Sequence, residues 1–297
     1  PGSTSHRYQH PRHPRSSLHK LAIFIAGCSI RCTPLKGKGD GTPHRQPFGA
    51  TCLTGHVSMA ALESAESGSL GEDGAALEIT TITTRFVLNV SVNCYLVEGS
   101  DGYVLIDTGA PGRRRTIETQ LDRAGCRPGN VKLIIVTHGD RDHAGNAAYL
   151  RDAFGAPIGM HSDDAGIVEQ GDMFWNRTAP NRLAQTLLNR LMGLSGADRF
   201  APDVLLQDGE DLSGYGLEAR VLSLPGHSRG SIGVLTAAGD LFCGDLLANV
   251  DRPNIWSIID DHAAARSSVA RLRGLPVHTV YPGHGSRFAW TPDAIST

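Results

Sequence analysis

The chain has 297 residues, 40% of them hydrophobic and 20% charged, with a formal net charge of −2. That length holds one large domain or two ordinary ones, and the composition is that of a globular protein. Near-neutral charge excludes recognition of nucleic acid or a membrane surface by bulk electrostatics, and no apolar run approaches the roughly 20 residues of a membrane helix.

Residues 1–74 read differently from the rest. Up to Gly55 they are rich in Pro, Arg, His, Gly and Ser, without sustained periodicity. We expect an N-terminal extension that is disordered, processed or vector-derived. Leu21–Cys28 resembles a lipoprotein signal ending in Cys, but its apolar run is short, and we read it as chance. Lys36–Thr42 lacks the spacing and the preceding strand of a phosphate loop. The six cysteines are Cys28, Cys32, Cys52, Cys94, Cys126 and Cys243. Their spacing matches neither a zinc finger nor a dense disulfide framework. Cys94 and Cys243 sit in apolar runs as buried thiols, which points to a reducing, cytoplasmic setting.

Residues 75–297 carry regular patterns. Strands are predicted at Ile79–Leu88, Val90–Glu98 and Tyr103–Ile106, followed by a helix over Arg113–Arg123 and a short strand at Lys132–Val136. A helix over Ala144–Phe154 stops at Gly155 and Pro157. Strands return at Pro157–Met160, Leu217–Leu224, Ser231–Thr236 and Asp240–Cys243, then a helix at His262–Leu272 and a strand at Val277–Val280. Strands that first meander and then alternate with helices imply layered α/β packing. A helical insertion near residues 170–200 interrupts this order. Its helix, Arg182–Met192, aligns Leu183, Leu187, Leu188 and Leu191 on one face. Core cover is the expected use of that face; a lid or a homodimer contact are the alternatives.

Potential metal ligands gather at predicted strand ends. His138, Asp140, Asp142 and His143 fall within six positions after Lys132–Val136. Imidazole and carboxylate together suit Zn, Fe or Mn. His227 follows in Leu224-Pro225-Gly226-His227, Asp245 in Cys243-Gly244-Asp245, and His284 in Tyr281-Pro282-Gly283-His284-Gly285. Gly lets the backbone turn at each of these points. Strand ends on one sheet edge converge, and seven ligands are what two adjacent metals need.

In this ordered set the chain resembles the metallo-β-lactamase superfamily, whose pattern is H-x-H-x-D-H, then G-H, G-D and G-H. The resemblance spans about Leu77–Phe288 and includes Ile106-Asp107-Thr108-Gly109. It implies a four-layer αββα sandwich. It also implies two divalent metal ions, Zn first and Fe or Mn next, one held by His138, Asp140 and His227, the other by Asp142, His143 and His284. Asp245 would bridge them, Asp107 would orient a ligand from behind, and Asp142 would also orient an attacking hydroxide. One position departs from the pattern: Asp140 stands where the family has its second His. An anionic oxygen donor shifts preference towards Fe or Mn as well as Zn, and away from β-lactamase activity. The activity implied is hydrolysis of a small-molecule substrate, an ester or lactone first, then thioesters, phosphodiesters and β-lactams. Phe174 and Trp175 are candidate pocket walls.

Rival readings use the same residues. Gly226-His227-Ser228-Arg229-Gly230 spells G-x-S-x-G, with Asp245 and His284 in triad order. That reading makes Ser228 a nucleophile but leaves the four residues of the 138–143 cluster unexplained. Asp107-Thr108-Gly109 spells an aspartic-protease signature without a second copy. An acid at position 140 also resembles the flavodiiron proteins, which carry a flavodoxin-like domain after the core. This sequence runs only to Thr297 after His284, so hydrolysis is expected over redox chemistry. A non-catalytic binding module is disfavoured because every ligand position holds a ligating residue type.

Overall fold

The computed structural model describes residues 77–86, 90–178, 181–291, 293 and 295. The N-terminal extension, with Leu21–Cys28 and Lys36–Thr42, lies outside the described residues.

Strands β1 (Ile79–Arg85), β2 (Ser91–Gly99) and β3 (Gly102–Ile106) form an antiparallel meander. Strands β4 (Val131–Ile135), β5 (Ile158–Met160) and β6 (Val204–Leu205) extend it in parallel, giving the order β1-β2-β3-β4-β5-β6. Parallel neighbours need crossovers, and helices supply them. These helices are α1 (Arg114–Arg123), α2 (Arg141–Ala144), α3 (Ala147–Phe154), α4 (Ser162–Gln170) and α5 (Arg182–Met192). The second sheet comprises β7 (Ala219–Ser223), β8 (Ile232–Thr236), β9 (Asp240–Asn249), β10 (Pro253–Ile255), β11 (Thr279–Gly285) and β12 (Phe288–Ala289). Its order is β12-β11-β9-β8-β7, with β10 paired to β9. Helix α6 (His262–Leu272) precedes β11.

Alternation along the strands separates three apolar layers. Tyr95 and Val97 of β2 point between the sheets, where they join Ile106, Leu133, Val234, Phe242 and Tyr281. Their neighbours Cys94 and Leu96 point outward, onto Ile117 and Leu121 of α1 and Leu150 of α3. On the far side, Leu235, Leu241 and Cys243 pack under Ala265, Val269 and Leu272 of α6. The result is the expected αββα sandwich. Cys94 and Cys243 are buried free thiols, as read from their apolar runs, and Cys126 is buried and free as well.

Two boundaries and the use of one helix face differ notably from the sequence reading. The helix expected over Ala144–Phe154 is split into α2 and α3. At the break, Asn146 Nδ2 donates to the carbonyls of Thr108 (2.6 Å) and Ala110 (3.0 Å), bracing the turn after β3. Strand β9 runs on to Asn249, well past Cys243, because it pairs with both β10 and β11. Helix α5 forms over Arg182–Met192 as read, but its apolar face does not cover the core: Leu183 is 83% exposed, Leu187 57% and Leu191 56%. Among the described residues no helix is long and apolar enough to cross a membrane.

Two substitutions separate the layers energetically. Phe242 is fully buried, stacked on Tyr281 at 4.9 Å between ring centroids and tilted against Tyr95 at 5.1 Å. Phe242→Ala should cost about 3–5 kcal/mol in chemical denaturation, whereas Leu187→Ala should stay within about 0.5 kcal/mol.

Candidate metal centre

The turn after β3 organises the site. Asp107 is buried and adopts φ +61°, uncommon for a non-glycine residue. That backbone turns its carboxylate towards the end of β4. It accepts hydrogen bonds from Thr137 N (2.8 Å), Thr137 Oγ1 (2.9 Å) and His143 Nδ1 (2.8 Å). Thr137 Oγ1 in turn lies 3.0 Å from His138 Nδ1. One carboxylate therefore orients two imidazoles, directly and through a hydroxyl.

Two more histidines are anchored the same way by backbone carbonyls. His227 Nδ1 is 2.7 Å from Ile258 O, and His284 Nδ1 is 2.7 Å from Ser91 O. In all four rings Nδ1 is tied down, which leaves Nε2 to face inward. The rings lie close together: His138 and His143 centroids are 4.1 Å apart, His138 and His227 4.5 Å, His143 and His284 5.6 Å. Trp256 stacks on His284 at 4.6 Å and an 18° interplanar angle.

The carboxylates complete the ring. Asp245 Oδ1 is 3.3 Å from His143 Nε2, and its Oδ2 is 3.3 Å from His284 Nε2. Asp142 Oδ2 lies 3.6 Å from His284 Nε2 and 4.0 Å from His143 Nε2. Asp140 Oδ2 is 2.9 Å from His227 Nε2 and 3.9 Å from His138 Nε2. The fold thus gathers all seven expected side chains. Two of them sit differently from the sequence reading, since Asp245 and His284 lie within β9 and β11 rather than just past strand ends. Irregular backbone aims them. Gly244 takes φ +50°, and β11 shifts register around Pro282. The bulge is clamped from the other sheet, where Asn93 Nδ2 donates to Pro282 O (3.1 Å) and Gly285 O (2.7 Å), and Tyr95 Oη to Pro282 O (2.6 Å). Gly283 leaves the room: a Cβ there would sit 2.3 Å from Asp245 Oδ1 and 2.7 Å from His143 Cε1.

Charge couples these groups. Burial and the neighbouring His143 and His227 push His138 well below the usual imidazole range. Burial also disfavours protonation of His227, but Asp140 outweighs it and raises His227 to about 9. Likewise Asp245 and Asp107 overcome burial to lift His143 well above its ordinary value. Asp245 is held low against its burial by His284 and His143, while burial raises Asp142 despite the same two rings.

This donor set fits divalent metal ions. His138 Nε2, His143 Nε2 and Asp245 Oδ1 are buried with no hydrogen-bond partner among the described residues. Such orphaned atoms cost free energy unless a ligand satisfies them. Three triads have donor atoms within 4.8 Å of one another: His138/Asp140/His227, His138/His143/Asp245 and Asp142/His143/His284. Imidazole nitrogen and carboxylate oxygen are the donors that Zn, Fe and Mn accept.

Other sequence candidates fall elsewhere. Ser228 is buried, and its Oγ donates to Asp164 Oδ2 (2.7 Å) and lies 2.7 Å from Ser231 Oγ. Its hydroxyl is held by a carboxylate and a second serine rather than by the imidazole a Ser-His-Asp triad needs, so the nucleophile-elbow reading fails on geometry. Phe174 is half-buried and Trp175 is exposed, in the turn before Arg177. The Trp175 indole packs so closely on α4 that a Cβ at Gly166 would meet it at 2.1 Å. Three residues of the site escaped the sequence reading. Asp164 accepts from Gly139 N (3.0 Å), Gly230 N (2.9 Å) and Ser228, tying the 138–143 turn to the His227 loop. Arg177 donates to Asp140 Oδ1 (2.6 Å), and its Nε lies 2.9 Å from Asp260 Oδ2. No local pattern marks Asp164, Arg177 or Asp260, because each is one charge in a polar segment.

The chain is similar to known proteins in sequence and fold. Residues 88–284 match the Metallo-beta-lactamase superfamily. The chain is 30% identical over 207 residues to hydroxyacylglutathione hydrolase GloC of Haemophilus influenzae, covering 65% of this chain and 85% of that protein. It is 31% identical over 256 residues to acyl-coenzyme A thioesterase MBLAC2 of Bos taurus, covering 77% and 84%. In three dimensions it resembles a metallo-beta-lactamase family protein of Thermus thermophilus, with a TM-score of 0.58, 24% identity and coverage of 73% and 76%. It also resembles TTHA1623 in a di-iron-bound form, with a TM-score of 0.54, 27% identity and coverage of 70% and 93%. The chain belongs to the metallo-beta-lactamase superfamily.

Proposed function

We propose that this chain is a metal-dependent hydrolase of activated acyl groups, with thioesters the first substrates to test and esters and lactones next. The observation that carries this reading is the convergence of four Nδ1-anchored imidazoles and three carboxylates, with buried donor atoms left unpartnered. Similarity to a hydroxyacylglutathione hydrolase and an acyl-coenzyme A thioesterase supports the choice of thioesters.

His138, Asp140 and His227 would hold one ion, and Asp142, His143 and His284 another, with Asp245 between them. Zn is the first ion to test, and the di-iron-bound relative supports testing Fe alongside Mn. Bound divalent ions supply Lewis acidity, which lowers the pKa of water and offsets negative charge on a carbonyl oxygen. The chain's own groups do the positioning. Asp142, whose carboxylate lies beside His284 and His143, would orient the attacking water and take its proton. Water oxygen then bonds to the acyl carbon, the carbon–sulfur bond breaks, and Asp142 returns the proton to the departing sulfur, which leaves as the thiol. The walls of the centre exclude bulk solvent: His138, His143, His227 and His284 are all at most 3% exposed.

Three outcomes test this reading. Chelation should abolish acyl-thioester hydrolysis, and a divalent ion should restore it; turnover that survives chelation contradicts the proposal. Gly283→Ala should weaken metal binding measurably and cost about 1–3 kcal/mol of stability, because its methyl group displaces Asp245 and His143. Finally, a proton on His227 competes with an ion. His227 stabilises the metal-free fold fully below its unfolded pKa near 6.5, and that contribution is lost as pH rises through about 9. Apparent metal affinity should therefore climb between those values, with proton release detectable by calorimetry in buffers of different ionisation enthalpy.

A further inference from the structure

We infer that Arg177 is a positioning residue for the metal centre: it matches the charge of Asp140 and decides which of its oxygens can reach an ion. This inference rests on the metal-dependent reading above and adds a function for the inserted segment. Asp140 is the one carboxylate of its triad, beside His138 and His227. Its two oxygens have different partners. Oδ1 accepts from Arg177 Nη1 at 2.6 Å, whereas Oδ2 lies 2.9 Å from His227 Nε2 and 3.9 Å from His138 Nε2. Only Oδ2 faces the imidazoles, so Asp140 can offer a single oxygen from that side.

The Arg177 side chain is 10% exposed. A buried guanidinium opposite a buried carboxylate is tolerable only as a pair, because either charge alone would be desolvated without compensation. Arginine has no lone pair to donate to a metal and keeps its proton. It therefore neutralises Asp140 without competing as a ligand. The guanidinium also lies against a second acid, Nε being 2.9 Å from Asp260 Oδ2 as a charge pair without hydrogen-bond geometry, and Asp164 adds negative potential nearby. Lysine could not span both directions.

The insertion delivers Arg177 to this position. Asp172 Oδ1 accepts from Phe174 N (2.9 Å) and from Asn189 Nδ2 of α5 (2.6 Å). Trp175 is wedged on Gly166, and Arg177 N donates to Phe174 O (3.0 Å). The turn is thereby braced on α4 and α5 and carries a cation to the back of Asp140. Phe174 and Trp175, expected as pocket walls, act here as the scaffold of that turn.

The consequence is counterintuitive for a ligand swap. Histidine at position 140 would supply a neutral donor and leave the Arg177 Nη1 that Asp140 had matched facing the ion, with only Asp260 and Asp164 behind it to offset the charge. Metal-stripped wild type, Asp140→His, Asp140→His/Arg177→Met and Arg177→Lys are titrated with Zn²⁺ and Mn²⁺ by calorimetry, with metal content by mass spectrometry and thermal unfolding of each metal-free chain. Asp140→His should lose one of two ions, or bind it about ten- to hundredfold more weakly, and Arg177→Met should recover most of that loss. Arg177→Lys should weaken the same ion several-fold and leave the other unchanged, which keeps the inference testable if Asp140→His does not fold. Wild-type affinity in Asp140→His, no recovery in the double variant, or unchanged binding in Arg177→Lys would each overturn the inference while leaving the hydrolase reading intact. A wild-type chain that binds no divalent ion would overturn both.

Discussion

The candidate site depends on one buried carboxylate. Asp107 sits at the end of β3 with a left-handed backbone and accepts three hydrogen bonds from Thr137 and His143. Through these contacts it joins two parallel strand ends and sets the ring orientation of His138 and His143. Without it, Thr137 Oγ1 and His143 Nδ1 would lose their acceptor inside the protein. The strain of its backbone is offset by those bonds and by Asn146, which braces the same turn from the gap between α2 and α3. Stability and ligand geometry are thus one problem at this point in the fold.

The two sheets divide the work between them. The first presents His138, Asp140, Asp142 and His143 after β4, and the second presents His227, Asp245 and His284. Their alignment is held by alternate residues of β2: Ser91, Asn93 and Tyr95 all reach the bulge of β11. Behind them, Tyr95, Phe242 and Tyr281 fill the space between the sheets. Packing therefore sets the distance between the two sets of donors. Electrostatics alone would not: the four imidazoles repel once protonated, and Asp140, Asp142 and Asp245 repel one another.

Much of this was legible in the amino-acid order. Several donors are short-range signals beside Gly, so Gly226-His227, Gly244-Asp245 and Gly283-His284 stand out on their own, even where the strand runs on past them. The helices Arg182–Met192 and His262–Leu272 were visible from their apolar spacing. What stayed hidden are long-range partnerships of ordinary residues. Arg177 meets Asp140 across 37 positions and Asp164 meets Gly230 across 66. A single charge in a polar loop carries no period and no motif. The destination of the α5 leucines was equally hidden, because an apolar stripe has the same spacing whether it is buried or exposed. The split of the helix after His143 turned on a tertiary role for Asn146, which local propensity does not encode.

The candidate metal centre and the fold converge on Asp107, and the most direct measurement is the metal content of the purified protein with and without its carboxylate. Wild type should carry two divalent ions per chain. Asp107→Ala should remain folded by circular dichroism yet bind metal about ten- to hundredfold more weakly, because His138 and His143 lose their orientation together. A folded Asp107→Ala chain with wild-type stoichiometry and affinity would contradict the account.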